Sequence, residues 1–141
     1  MLQSSYRIRK RVRVALLVLG LPQLIAGVWA LGFSRSFYED FPFGQGWVSP
    51  HGPFNEHLIV DVGALFCALA VLTLFGAVRV ERGLSQAIGL TWIVFLGPHL
   101  YWHATHTEGL SLADNGIQLG LLVMQFLIVV YVVAASRRLK G

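Results

Sequence analysis

The histidines of this sequence are spaced in a way that could create a metal site. The chain has five of them: His51, His57, His99, His103 and His106. On a helix that turns about 100° per residue, the last three fall on one stripe about 60° wide. They also span about 10 Å of helix, so an ion could bind two of them but not all three. The candidate ligand pairs are His99 with His103 and His103 with His106.

Two more segments carry polar side chains at helical spacing. His57 and Asp61 lie four residues apart in NEHLIVD, and Asp114 and Gln118 repeat that spacing before the last apolar segment. Ionisable groups at membrane depth usually face the bundle interior and pair with one another. We therefore expect one outer cavity, with His106 as an additional candidate ligand. The residues expected to converge there are His57, Asp61, His99, His103 and Asp114.

Imidazoles with one or two carboxylates are suitable ligands for zinc, copper or iron. One aspartate could instead fix a histidine tautomer from outside the ligand shell. A haem held by one histidine from each of two helices is a further interpretation. With zinc, Glu56 would serve as general base for hydrolysis by metal-bound water. With a redox metal, electron transfer or oxidation of a membrane-soluble quinol or lipid is expected.

Each of these residues also has a purely structural interpretation. Asp114 follows Ser111 at capping-box spacing, and His57 at a helix start can simply contact water or lipid. The cluster as a whole could be a hydrogen-bonded polar core, in which each bond contributes about 0.6–2 kcal/mol. Whether the protein is an enzyme therefore stays open. The single cysteine, Cys67, excludes an intramolecular disulfide and a zinc site made of cysteines.

The composition indicates membrane-spanning helices as the elements that position these residues. The chain has 141 residues, of which 55% are hydrophobic and 13% charged, whereas soluble domains carry about 25% charged residues. A helical span needs about 20 mostly apolar residues. Four segments qualify: 14–33, 58–78, 84–102 and 117–135. We predict an all-α fold, a four-helix transmembrane bundle that forms one membrane domain over residues 1–141.

The charges predict how this bundle is oriented. With four spans, one side would hold ten of the eleven basic residues, Lys140 among them, and one acidic residue, Glu81. The other side would hold Arg35 and six acidic residues. Short basic loops stay cytoplasmic, so both termini are expected inside, in the plasma membrane. Beside a hydrophobic span, the initial RIRKRVR segment indicates an anchor for anionic lipid and not an arm that binds nucleic acid.

The segment 34–56 on the outer side is rich in aromatic residues. Such residues can form a belt at the headgroup level or pack as a cap, and a cap could also act as a lid that shields a site from water. The prolines at 42, 50 and 53 argue against a long helix in this segment. Pro98 is expected to kink the third span beside His99. The aromatic residues of the segment are Phe37, Tyr38, Phe41, Phe43, Trp47 and Phe54.

Two strings, PFNEHLIVDVGAL at 53–65 and GPHLYWHATHTEGLSLAD at 97–114, resemble a group of small four-span membrane proteins predicted from actinobacterial genomes. The resemblance covers spans two to four and implies no activity. The motif positions that it implies are His57, Asp61, His99, His103, His106 and Asp114.

A second hypothesis is a non-catalytic accessory subunit of a larger membrane complex. Small residues let helices of different proteins approach closely, so the hypothesis predicts small-residue interfaces with membrane-protein partners. The candidate faces lie around Gly63–Ala64, Gly83 and Gly116–Gly120. A transporter or channel is a weaker interpretation, because no charged residue lies in the inner half of any span.

Overall fold

The computed structural model describes residues 2–139, except for the side chains of Leu2 and Ser4. Within that range the fold is all-α without strands, which confirms the all-α part of the prediction. Met1, Lys140 and Gly141 lie outside the described residues, so one of the basic residues counted for orientation has no structural description. The helices are α1 (Leu2–Gly32), α2 (Ser34–Asp40), α3 (Glu56–Arg79), α4 (Arg82–Thr105) and α5 (Leu112–Ser136), with a 3-10 turn at Ser49–His51.

Three of these helices are long and apolar enough to cross a membrane: α1 over Ser5–Gly32, α3 and α5. The remaining predicted span, 84–102, corresponds to α4, which has 24 residues. The apolar sequence of α4 contains the polar residues Gln86, His99 and His103. The helix runs through Pro98 without interruption in its secondary structure.

Helix α1 begins well before the predicted span at residue 14. Its first turns contain the basic residues, which are good helix formers, and Gly20 is its first glycine. Two of these basic side chains contact the C-terminal end of α3. Arg9 Nη1 donates to the carbonyl of Val80 at 3.1 Å, and Arg13 Nε donates to that of Ala77 at 2.9 Å. Cations are favourable at the C-terminal end of a helix, so these contacts stabilise that end.

The four long helices form two closely packed pairs. Helix α1 packs along α3, and α4 packs along α5. Smaller contacts between α1 and α5 and between α3 and α4 join the two pairs. The α1–α3 approach depends on glycine. A Cβ added at Gly63 would lie 2.6 Å from the backbone nitrogen of Leu31, and one at Gly27 would lie 2.8 Å from that of Cys67. The two backbones therefore approach more closely there than side chains would allow.

The centre of the bundle contains a buried hydrogen bond. Trp92 is completely buried, and its Nε1 donates to Thr73 Oγ1 at 2.8 Å, which joins α4 to α3. Thr73 Oγ1 in turn donates to the carbonyl of Leu69 at 2.7 Å. The surface of the bundle, in contrast to this polar contact at its centre, is apolar. Large apolar side chains such as Ile25, Val71 and Val94 are exposed there. A bundle with this surface requires an apolar surrounding.

The aromatic segment folds as a packed cap over the ends of α1 and α3. Phe37 is 5% exposed and its ring lies 4.6 Å from that of Phe41, while Trp29 of α1 contacts both rings edge-on. The Tyr38 hydroxyl lies 3.2 Å from the Ser49 carbonyl and donates to that of Gly52 at 2.7 Å. These contacts give the segment a fixed shape that begins with the short helix α2.

Candidate functional site

Three histidines come together at the capped end of α4. His99 and His103 lie one turn apart on that helix, as their spacing predicts, and their ring centres are 4.7 Å apart. His51, the last residue of the 3-10 turn, has its ring centre 5.4 Å from that of His103. Phe95 stacks on the other side of His99 at 5.2 Å. The result is a row of imidazoles that begins on the apolar core and ends at the exposed His51.

His103 is the central member of this histidine cluster. Its Nδ1 is buried and has no hydrogen-bond partner among the residues that the structure describes. Gln118 of α5 lies within hydrogen-bonding range of the ring. A buried polar nitrogen without a partner costs about 1–3 kcal/mol, so its presence requires an explanation such as an ion or a water molecule.

Contacts between two loops hold His51 against α4. Trp47 Nε1 donates to Asp114 Oδ1 at 3.3 Å, which attaches the aromatic segment to the start of α5. Gly109 has a φ of +85°, and a Cβ at this position would lie 2.7 Å from the Pro50 Cβ. His51 follows Pro50 directly. His51 is not among the residues that the sequence predicts to converge, because only this loop packing brings it to the site.

His57 and Asp61 are not part of the cluster, in contrast to the expected five-residue cavity. His57 Nε2 lies 3.4 Å from Asp61 Oδ2, and the two side chains are 87% and 57% exposed. The face of α3 that meets α1 carries Ile59 and Gly63, each two residues further along. Two residues turn a helix by about 200°, so packing of that face directs His57 and Asp61 away from the interior. A haem held between His57 and a histidine of α4 is therefore not supported by this geometry.

The remaining candidates have local contacts. Asp114 is the third residue after the N-cap Ser111, whose Oγ accepts from the Asp114 backbone nitrogen at 3.1 Å, so its capping interpretation holds alongside the bond to Trp47. His106 stacks on Trp102 with ring centres 3.6 Å apart, and its Nδ1 lies 3.0 Å from Thr105 Oγ1. The exposed Glu56 accepts from Ser34 Oγ at 3.4 Å.

Within residues 2–139, no three or more His, Cys, Asp or Glu side chains are arranged closely enough to hold a metal ion. What the structure brings together is the pair His99–His103, with His51 and Gln118 next to it.

Comparison with protein-family models, with curated proteins and with solved structures found no match for this chain.

Proposed function

We propose that the protein is a four-span integral membrane protein of the plasma membrane, with both termini inside, whose histidine cluster binds a transition-metal ion near the outer surface. The span that completes the set of four, beside α1, α3 and α5, is α4. Its middle exposes Leu90 to 58% and Val94 to 74%, which an apolar surrounding would stabilise. It also packs beside α5, a helix that is long and apolar enough to cross a membrane.

The observation that carries the metal proposal is the unpartnered Nδ1 of His103 between two other imidazoles. Imidazoles that share a tetrahedral ion, with metal–nitrogen bonds of about 2.0 Å, have ring centres about 5 Å apart. The 4.7 and 5.4 Å spacings of the cluster are close to that distance. In a polar core that only held the helices together, about 90% or more of the buried polar groups would be hydrogen-bonded.

Metal binding by all three histidines needs a change of side-chain orientation. The ring planes of His51 and His99 are steeply inclined to that of His103, at 78° and 76°. His51 is exposed, so its ring is free to turn about χ1 and χ2 toward the pair on α4. His99 and His103 would thus hold the ion first, and His51 would complete the site.

Neutral imidazoles with open coordination positions suit copper, iron or zinc. With copper or iron the site would serve electron transfer or oxidation of a membrane-soluble substrate such as a quinol. Glu56 has no place in this proposal, because its carboxylate pairs with Ser34 at an exposed position.

Elemental analysis and an optical spectrum of protein purified from metal-replete cells test this proposal. We expect close to one equivalent of copper, iron or zinc per chain. The double variant His99→Ala/His103→Ala should lose that metal, whereas the matched control His57→Ala/His106→Ala should keep it. A metal-free wild-type protein, or equal metal contents in the two variants, would contradict the proposal.

A second candidate function is that of an accessory subunit in a membrane complex, and one observation favours it. A Cβ added at Gly116 or Gly120 would meet nothing within 4 Å, so this G-x-x-x-G face of α5 is open. Of the other small-residue faces, Gly63 is occupied by the contact with α1. Purification in mild detergent tests this function: a specific partner that is lost in Gly120→Leu would support it, and a solitary monomer would contradict it.

A further inference from the structure

A groove runs between α1 and α5 in the half of the bundle that contains the basic N-terminal turns. Its volume is about 710 Å³, within the range of about 300–1,000 Å³ that small-molecule sites occupy. The groove lies on the seam where the α1–α3 pair meets α5, and the α1–α5 contacts are less extensive than those inside either pair. Its walls include Val14, Val18 and Leu127.

The basic residues of α1 divide between two faces of the helix. Arg9 and Arg13 are occupied with the carbonyls of Val80 and Ala77. Lys10 and Arg11 follow Arg7 by three and four residues on the other face, and the three line the groove mainly with the apolar parts of their side chains. Their charged ends therefore lie at its rim, which forms a cationic mouth. No Asp or Glu is among the described residues that line it, so nothing within the groove neutralises these cations.

We infer that this groove binds one molecule of an anionic phospholipid from the inner leaflet. Arginine and lysine bind phosphate through charge-assisted hydrogen bonds, and basic pockets between membrane helices on the cytoplasmic side bind anionic headgroups. The headgroup phosphate would lie against Arg7, Lys10 and Arg11. One acyl chain would follow the apolar wall past Val14 and Val18. The cationic mouth and the apolar wall together select an anionic lipid. A free anion would complement only the mouth, and a lipid without net charge would complement only the wall.

This inference rests on the membrane location proposed above and is independent of the histidine cluster. A failure of metal binding would leave it intact, and a failure of lipid binding would leave the metal proposal intact.

The test uses the full chain in nanodiscs of phosphatidylcholine with a small fraction of phosphatidylglycerol. Native mass spectrometry after release from the nanodiscs measures how strongly each lipid is retained. We expect the wild-type protein to retain one phosphatidylglycerol in preference to phosphatidylcholine. The triple variant Arg7→Gln/Lys10→Gln/Arg11→Gln should reduce that preference by about tenfold or more.

Two further variants separate a built site from general attraction to a charged surface. The control Arg82→Gln/Arg137→Gln/Arg138→Gln removes the same charge from the same end of the bundle and should keep the preference. Val18→Trp fills the groove without changing charge and should lower the retention of phosphatidylglycerol. Equal losses in the two triple variants, or unchanged retention in Val18→Trp, would overturn the inference.

Discussion

His103 occupies the point where the aromatic cap, α4 and α5 meet. One neighbour is His99 on its own helix, another is His51 on the loop, and Gln118 lies beside it on α5. Its Nδ1 is nonetheless buried without a partner in the described structure. A group in that position destabilises the metal-free protein and stabilises the protein when a ligand supplies the missing interaction.

The substitution His103→Phe separates these two effects. In the presence of a chelator, we expect the variant to unfold at a temperature equal to or above that of the wild type, because the orphaned nitrogen is replaced by an apolar ring. When metal is present at about 100 times its dissociation constant, the wild type should gain about 2.7 kcal/mol and the variant should gain nothing. Thermal unfolding in detergent with and without metal measures both. A wild type that metal does not stabilise would contradict this expectation.

The buried bond between Trp92 and Thr73 is a second residue-level feature with a measurable effect. Trp92→Phe removes the donor and leaves Thr73 Oγ1 with only its intrahelical partner. Polar contacts between membrane helices average about 0.6 kcal/mol, with a maximum near 1.7 kcal/mol. We expect a loss of about that size, plus the contribution of the smaller ring, in the free energy of unfolding.

The matched comparison is Thr73→Val against Thr91→Val. Thr91 is exposed and donates only to the carbonyl of Ala87 on its own helix. Thr73→Val should destabilise the protein in unfolding experiments and Thr91→Val should not. Equal effects of the two would show that the bond to Trp92 contributes nothing to the α3–α4 contact.

At the scale of the elements, the α1–α3 pair depends on the absence of side chains at Gly63 and Gly27. Gly63→Ala would force a methyl group to within 2.6 Å of the Leu31 backbone nitrogen, so the two helices would have to separate. Overpacking of this kind costs about 1–3 kcal/mol. We expect a clear fall in thermal stability in detergent. The control is Gly83→Ala, where nothing lies within 4 Å, and a loss as large there would contradict the close-approach argument.

The elements and the site differ in how far the sequence could predict them. The apolar runs predicted the long helices, and the four-residue spacing of His99 and His103 predicted that their rings would be neighbours. The sequence predicts His57 among them, but His57 lies outside the cluster, because the close contact of Gly63 with α1 determines which face of α3 is turned inward. The position of His51 follows from the packing of Pro50 on Gly109, and no periodicity encodes such a contact between loops.

At the scale of the whole molecule, the proposed four-span topology predicts which segments a membrane-impermeant label can reach. In a chain with Cys67→Ala, single cysteines at Gln45, Glu81 and Arg138 report the side on which each segment lies. A membrane-impermeant maleimide should label Gln45→Cys in intact cells, and Glu81→Cys and Arg138→Cys only after permeabilisation. Labelling of both Gln45→Cys and Arg138→Cys in intact cells, with Glu81→Cys protected, would show that α4 does not cross the membrane.

The central claim, that imidazoles of the histidine cluster bind a metal ion, is tested most directly by electron paramagnetic resonance of the purified chain loaded with one equivalent of Cu(II). Imidazole nitrogens bound to copper split the signal, so the spectrum counts them. The claim predicts coupling to three nitrogens, to two in His51→Ala and to no more than one in His99→Ala/His103→Ala. A spectrum without nitrogen coupling, or one that the double variant leaves unchanged, would contradict it.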